Sequence, residues 1–354
     1  MEFLPMKRFR AAANTYFAKF SELRAIQPVS VTMDLELRED KENIARLDDL
    51  AAKGYALFPV RRVSADSPYA GRKDFPQRVL FEMTSICNTK CQMCPQMNLK
   101  RKLMHMDKDK YKSVIDELDK HGIDGLWLYH FGESLVHPRF KELVEYVNTK
   151  KNLGCIWLST NGILLDGNMQ DFLLRSSLSF LNFSLQSISN VNYRKIAPLS
   201  PSEKILANLD SLIVKKQRML GKKPFLRLQI IEQENTIDEI DPFLREFCEK
   251  CDLISVNMLE HTDLKFNIEG RSLRKHNERT SCKRIQRADC FINSDGSVAI
   301  CDNAYNNQLD IGNIGGNTVY EIWNGSTREK ILQMNEKGSI WDVQPCAECT
   351  DYDL

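Results

Sequence analysis

The chain has 354 residues, a formal net charge of +1 and 11 cysteines. The near-neutral charge argues against bulk attraction to nucleic acid, and the sequence contains neither an apolar run long enough to cross a bilayer nor a signal peptide. We therefore expect a cytoplasmic protein without a membrane span. Because cytosolic thiols are kept reduced, the cysteines are expected to bind metal rather than to form disulfides.

Residues 1–77 contain no metal-ligand spacing. Apolar side chains recur on one face between Phe9 and Leu23, which predicts an amphipathic helix, and a second helix is predicted over residues 42–53. We expect an N-terminal helical extension that packs on the rest of the protein or on a second subunit, rather than on a membrane surface.

From Arg78 to Val256, short apolar runs alternate with segments of helical period. This alternation predicts a parallel sheet with covering helices. The six predicted strands are Arg78–Met83, Leu126–His130, Cys155–Ser159, Phe180–Ser184, Phe225–Ile231 and Leu253–Val256. The first two predicted helices present the apolar residues Tyr111, Val114, Ile115 and Leu118, and then Phe140, Leu143, Val144 and Val147.

After Val256 the alternation of apolar runs and helical segments ends, and a cysteine-bearing segment begins at Cys282. The sequence of residues 291–300 predicts a β-hairpin with an Asp-Gly turn, which delivers Cys301 at the end of its second strand. We therefore divide the chain into an N-terminal extension at 1–77, a region of alternating strands and helices at 78–260, and a linker with a cysteine module at 261–354.

Three cysteines follow the first predicted strand closely, at Cys87, Cys91 and Cys94. An iron–sulfur cluster normally takes four thiolates, so a compact triad predicts a cluster with one iron open to an outside ligand. A zinc site is the alternative, but zinc needs a fourth cysteine or histidine, for which His105 is the only nearby candidate. The C-x3-C-x2-C spacing resembles the signature of the radical S-adenosylmethionine (radical SAM) enzymes.

This resemblance implies an α/β fold, a partial (β/α)6 TIM-like barrel whose sites lie at the C-terminal strand ends, as in full barrels. It also implies a SAM-binding [4Fe–4S] cluster on the triad, with S-adenosyl-L-methionine on the open iron. Reductive cleavage of that cofactor gives a 5′-deoxyadenosyl radical, which abstracts a hydrogen atom from an unreactive C–H bond. An electron donor such as flavodoxin or ferredoxin is implied as a partner.

Motifs at later strand ends resemble the cofactor-binding motifs of the same family. The sequence Tyr-His-Phe-Gly-Glu at 129–133 resembles the family's Gly-Gly-Glu motif, with Gly132 and Glu133 in register and Phe131 in place of the first glycine. In that motif the backbone and the acid hold the methionine ammonium. The resemblance implies further cofactor contacts from Met93, Ser159, Asn161, Ser184 and Gln229. Helix caps or turn bonds are the alternative for the hydroxyls and amides.

The second cysteine set, Cys282, Cys301, Cys346 and Cys349, resembles the auxiliary iron–sulfur module called SPASM, or twitch in its short form. Four thiolates suit a second auxiliary [4Fe–4S] cluster, for which the resemblance implies electron transfer. A four-cysteine zinc site is the alternative.

The short module resembles that of 2-deoxy-scyllo-inosamine dehydrogenase-type enzymes. This resemblance implies oxidation of a small polar substrate, a sugar or cyclitol alcohol, to a ketone. One alternative is a radical epimerase with a cysteine hydrogen donor, for which Cys248, Cys251 and Cys290 are unassigned thiols. The others are a peptide- or protein-modifying SPASM enzyme and a non-catalytic zinc or iron–sulfur scaffold. The sequence names no catalytic base.

Overall fold

The computed structural model describes residues 15–18, 56–57, 74–219, 223–247, 250–258 and 281–349. These residues form an open sheet of eleven strands. The strands are β1 (Thr15–Ala18), β2 (Ala56–Leu57), β3 (Arg78–Phe81), β4 (Gly125–Trp127), β5 (Cys155–Thr160), β6 (Phe180–Ser184), β7 (Phe225–Glu232), β8 (Leu253–Met258), β9 (Asp289–Ile292), β10 (Ser297–Ala299) and β11 (Asp310–Asn313). Their order across the sheet is β11-β10-β9-β3-β4-β5-β6-β7-β8-β1-β2.

The α-helices of the same residues lie mostly between the strands. They are α1 (Lys108–His121), α2 (Phe140–Asn148), α3 (Gly167–Leu174), α4 (Asn190–Ile196), α5 (Ser202–Arg218), α6 (Ile240–Phe247), α7 (Lys283–Gln286), α8 (Val319–Trp323) and α9 (Ser326–Glu336). Short 3-10 helices occur at Pro95–Asn98, Ser134–Val136, Ile237–Glu239, Ser339–Asp342 and Cys346–Glu348. No helix of the described residues has the length and apolar character needed to span a membrane.

Strands β3 to β8 pair in parallel, each with the next along the chain. All six predicted strands are confirmed, and the largest difference is at β4, which ends at Trp127 instead of His130. The predicted apolar faces of α1 and α2 are buried. The partial (β/α)6 barrel is therefore confirmed, and its carboxyl strand ends share one edge.

The C-terminal cysteine segment extends this sheet at the free edge of β3. Strand β9 pairs in parallel with β3, and β9 and β10 form the predicted antiparallel hairpin. Its turn contains Gly296 at φ 87°, a conformation that glycine adopts without strain. The division of the chain at residues 77 and 260 stays a prediction.

The N-terminal helix predicted between Phe9 and Leu23 is wrong for Thr15–Ala18, which form β1 and pair antiparallel with β8. The sequence Thr-Tyr-Phe-Ala has a high strand propensity, and the edge of β8 offers unpaired backbone groups. This edge pairing overrides the helical period. The rest of that predicted helix and the helix predicted over 42–53 lie outside the described residues.

Candidate active site

A cavity of about 450 Å³ lies at the carboxyl ends of the barrel strands. Its walls contain every residue that the sequence assigned to the first cluster and to S-adenosylmethionine. Those residues are Cys87, Cys91, Met93, Cys94, Gly132, Glu133, Ser159, Asn161, Ser184 and Gln229. The structure thus brings all ten together, while their individual roles stay predictions.

The segment that carries the first three cysteines packs against α4. The backbone N–H of Gln92 donates to the carbonyl of Ile196 at 2.8 Å, and Met93 packs on the side chain of Ile196. Burial raises the pKa of Cys87 and of Cys91 to about 12. The free thiols are therefore protonated at neutral pH, and a cluster must displace these protons when it binds.

The donor chemistry of this wall fits a cluster with one open iron. The described residues that line the cavity include three cysteines and no fourth. Among the described residues, no three His, Cys, Asp or Glu side chains are arranged around one metal ion. A [4Fe–4S] cluster does not require such convergence, because each thiolate binds a different iron.

Gly132 brings the strand-end motif against the cysteine segment. Its φ is 87°, and a Cβ atom there would lie 2.3 Å from the carbonyl oxygen of Thr84. The next backbone N–H, that of Glu133, donates to the carbonyl of Ile86 at 3.0 Å. Only glycine permits this approach. This close approach also explains why β4 ends at Trp127 instead of His130, since the chain must turn toward the residues that follow β3.

The Glu133 carboxylate is 3% exposed and faces the cavity. One oxygen accepts from the backbone N–H of Asn161 at 2.7 Å, and the other accepts from that of Leu135 at 3.2 Å. Burial nevertheless raises the pKa of Glu133 to about 7. A buried carboxylate of this kind favours a cationic partner such as an ammonium group.

A polar network joins the middle strands at the cavity. The Nδ2 atom of Asn182 donates to Ser159 Oγ at 2.8 Å and to Gln229 Oε1 at 3.3 Å. Gln186 Nε2 donates to Ser184 Oγ at 3.3 Å. The two Asn182 bonds join neighbouring strands, whereas the bond between Gln186 and Ser184 is a local turn bond. None of them caps a helix, and Ser159, Ser184 and Gln229 all line the cavity.

Arg227, Asp302 and Asn303 are among the lining residues that the sequence analysis missed. Arg227 lies two residues before Gln229 on β7, so the two share a face of the strand, and this period-2 relation could have identified it. Asp302 and Asn303 also line the cavity. They directly follow Cys301, and no spacing rule pointed to them.

The four cysteines of the second set are all buried. Asn335 of α9 holds Cys282, accepting from its backbone N–H at 2.6 Å and donating to its carbonyl at 3.1 Å. The Nδ2 atom of Asn303 lies 3.8 Å from Cys349 Sγ. Burial, with a contribution from the Cys282 thiol, raises the pKa of Cys301. These neighbours place the set beside the residues that close the cavity.

The thiols left unassigned by the sequence lie elsewhere. Cys251 and Cys290 are buried in the hydrophobic core and are not among the residues that line the cavity. Cys248 lies outside the described residues. Neither of the two described thiols is placed to reach a ligand in the cavity.

Comparison with protein-family models identifies two regions. The model of the Radical SAM superfamily matches residues 81–220, and that of an iron–sulfur cluster-binding domain, SPASM, matches residues 282–350. A tungsten-containing aldehyde ferredoxin oxidoreductase cofactor-modifying protein of Pyrococcus furiosus is 32% identical over 106 residues, which are 30% of this chain and 29% of that relative. The segments matched in the curated relatives span 29–42% of those relatives.

Solved structures share the fold. BtrN in complex with AdoMet and 2-DOIA has a TM-score of 0.51 and 18% identity, covering 79% of this chain and 99% of BtrN. Native anSMEcpe with bound AdoMet and Cp18Cys peptide has a TM-score of 0.55 and 15% identity, covering 78% and 87%.

The iron–sulfur cluster-binding model spans the second cysteine set, which favours an iron–sulfur cluster over zinc there, while the ligand role of each cysteine stays a prediction. S-adenosylmethionine and [4Fe–4S] clusters, including one in the second domain, are accordingly the cofactors of this chain. The chain thus carries a radical SAM domain over residues 81–220 and a SPASM-type iron–sulfur cluster-binding domain over residues 282–350.

Proposed function

We propose that this radical SAM enzyme dehydrogenates an alcohol of a small polar molecule, a sugar or a cyclitol, to a ketone. The observation that carries the proposal is that one cavity is lined both by the first cysteine set and by the two residues next to Cys301 of the second set. Its lining includes the three cysteines of the first set, and also Asp302 and Asn303, which directly follow Cys301. A substrate bound here would lie close to the first site and to the residues beside Cys301, so the second cluster could accept an electron from it.

The residues around the first site divide into those for the cluster and those for S-adenosylmethionine. The three thiols would hold the cluster, and Glu133 with the backbone at Gly132 would bind the methionine ammonium. The polar groups at the ends of β5, β6 and β7 would bind the ribose and carboxylate, and Met93 would pack on the adenine. When bound, the cluster and its ligand supply the 5′-deoxyadenosyl radical. Reduced flavodoxin or ferredoxin would provide the electron.

The chemistry of the cavity wall supports a small polar substrate. Beyond the residues proposed for S-adenosylmethionine, the wall presents hydrogen-bonding groups from His130, Gln186, Arg227, Asp302 and Asn303. Such a wall suits several hydroxyl groups on one ring. The shared fold with BtrN, whose structure contains 2-DOIA, is consistent with this substrate class.

Epimerisation is the closest alternative reaction. It requires a hydrogen donor near the substrate radical, and the described thiols Cys251 and Cys290 do not line the cavity. Peptide modification is the alternative substrate class, and it is represented in this fold by anSMEcpe with its bound peptide. The choice between these reactions can be made from products and solvent labelling.

The test uses anaerobically reconstituted protein, dithionite and S-adenosylmethionine in deuterated water. The substrate panel contains sugars, cyclitols including 2-deoxy-scyllo-inosamine, and short serine- or cysteine-containing peptides. A ketone from a small alcohol, without solvent deuterium on the reacting carbon, is expected. Solvent deuterium at an inverted carbon would favour epimerisation, and turnover of peptides alone would contradict the small-substrate proposal.

A further inference from the structure

His130 is a polar side chain of the cavity that has no role in the binding of S-adenosylmethionine proposed above. Its side chain is 7% exposed, and its ring packs against Phe131 and Phe291 with centroid distances of 4.1 and 5.2 Å. His130 lines the cavity, and its buried Nε2 atom has no hydrogen-bond partner among the described residues. A buried polar atom without a protein partner is costly unless a ligand satisfies it.

The other ring nitrogen is held by the hairpin of the iron–sulfur domain. His130 Nδ1 lies 3.2 Å from Asn293 Oδ1. Asn293 Nδ2 donates to Ser297 Oγ at 3.0 Å, and the Ser297 hydroxyl donates to Asp295 Oδ1 at 2.7 Å. Because the Ser297 proton is committed to the Asp295 carboxylate, Ser297 must accept from the Asn293 amide. This fixes the Asn293 carbonyl toward the histidine.

The direction of these bonds sets the tautomer of the ring. An amide oxygen can only accept, so Nδ1 of His130 must carry a hydrogen. In a neutral imidazole the other nitrogen, Nε2, then has a free lone pair, and it is buried in the cavity wall that His130 helps to form. The hairpin of the second domain thereby fixes an unprotonated nitrogen in that wall.

We propose that Nε2 of His130 accepts the hydroxyl proton of the substrate while the alcohol is oxidised. Conversion of a secondary alcohol into a ketone removes one hydrogen atom, one proton and one electron. The hydrogen atom leaves the carbon for the 5′-deoxyadenosyl radical, and the proton passes from oxygen to Nε2. The remaining electron goes to the iron–sulfur cluster of the second domain. This inference rests on the proposed dehydrogenation.

The two acids near His130, Glu82 and Asp302, are each paired with an arginine. Glu82 Oε2 lies 3.8 Å from Nδ1, but its charge is paired with Arg101. The negative charge of Asp302 also acts to raise the pKa of the ring, but Asp302 forms an ion pair with Arg284. Burial outweighs these acids and holds the pKa of His130 below its usual range. The ring is therefore neutral at pH 7, and the nearby Glu82 can stabilise the imidazolium that proton transfer creates.

The tautomer can be measured without a substrate. Nitrogen-15 histidine NMR of the holoenzyme, with both clusters oxidised, should show Nε2 of His130 unprotonated at neutral pH. The chain has 6 histidines, and the signal of His130 is the one that disappears in His130→Gln. Asn293→Leu should allow the other tautomer to appear. A protonated Nε2 in the wild-type protein would overturn the inference.

The role in the reaction is tested with an alcohol that the wild-type protein oxidises in the panel above. In His130→Gln, which keeps a hydrogen-bonding group but cannot take a proton, the ratio of ketone to 5′-deoxyadenosine should fall about 10²- to 10⁴-fold. The wild-type ratio should also fall in acid, where the ring is protonated, and the variant should lack this pH dependence. His121 lies on α1, and its ring stacks on Phe75 and Tyr320. His121→Gln is therefore the matched control and should keep the ratio of ketone to 5′-deoxyadenosine.

Two results separate the inference from the proposed function. An unchanged ratio in His130→Gln would overturn the role of His130 while leaving dehydrogenation intact. Failure of the wild-type protein to oxidise any alcohol would contradict the proposed function and with it the proton transfer. In that case the NMR measurement would still decide which nitrogen His130 presents to the cavity.

Discussion

Glu82 and Arg101 form a buried two-pronged ion pair, with Nη1–Oε1 at 2.7 Å and Nη2–Oε2 at 2.6 Å. Glu82 directly follows β3, and Arg101 lies beyond the segment that carries the first three cysteines. The same carboxylate accepts from the backbone N–H of Phe131 and from the backbone and hydroxyl of Ser294. One acid thus connects the barrel, the strand-end motif and the hairpin of the iron–sulfur domain.

Arg101→Met should strongly destabilise the protein, because it leaves the Glu82 charge buried without its cation. We expect the free energy of unfolding to fall by about 3–5 kcal/mol, measured by urea denaturation of the reconstituted protein. Lys215→Met is the matched control. It breaks the partly exposed pair with Asp171 and should cost less than about 1 kcal/mol. Equal losses in the two variants would contradict the account of this ion pair.

Gly132→Ala should displace the motif that follows β4, since the new methyl group would meet the Thr84 carbonyl oxygen at a φ reserved for glycine. We expect a loss of about 1–3 kcal/mol in stability and much weaker binding of S-adenosylmethionine by calorimetry. Gly316→Ala is the control, because nothing lies within 4 Å of its Cβ position. Unimpaired binding in Gly132→Ala would show that the close approach is not needed.

Glu133 should make the affinity for S-adenosylmethionine depend on pH. Burial raises the pKa of its carboxyl group to about 7, so a fall in pH through this value adds a proton and removes the attraction for an ammonium group. The dissociation constant should therefore rise between about pH 8 and about pH 6. Glu133→Gln should weaken binding about 10- to 100-fold and flatten this dependence. The same pH dependence in both proteins would refute the role of Glu133.

Cysteine substitutions should separate the two iron–sulfur sites. Cys94→Ala and Cys349→Ser should each lower the iron content from about eight to about four per chain. Only Cys94→Ala should abolish formation of 5′-deoxyadenosine, whereas Cys349→Ser should lose the ketone. Cys155→Ser, in β5 away from both sets, should keep both the iron and the products. Loss of iron from both sites in either variant would contradict the claim that the two sites bind their clusters independently.

Much of the first site could be predicted from the sequence because parallel strands bring their carboxyl ends to one edge. Glu133 and Asn161 follow β4 and β5, and Ser184 ends β6, so each lies at the cavity. The local signals, apolar runs and glycine positions, were sufficient to locate these strand ends.

Contacts set by tertiary structure could not be predicted in this way. His130 and Asn293 are 163 residues apart, and their hydrogen bond depends on the parallel pairing of β9 with β3, for which no local pattern exists. The pairing of β1 with β8 is similar, since an available sheet edge decided the conformation of Thr15–Ala18. The cavity position of Asp302 likewise depends on how the second domain closes the barrel.

The central claim is that hydrogen-atom removal and electron loss from one alcohol carbon are coupled across this cavity. The most direct measurement uses a turned-over alcohol with deuterium on that carbon, followed by mass spectrometry of 5′-deoxyadenosine and of the product. The account predicts one deuterium in 5′-deoxyadenosine for each ketone formed. Unlabelled 5′-deoxyadenosine, or deuterium transfer that yields an inverted alcohol and no ketone, would contradict it.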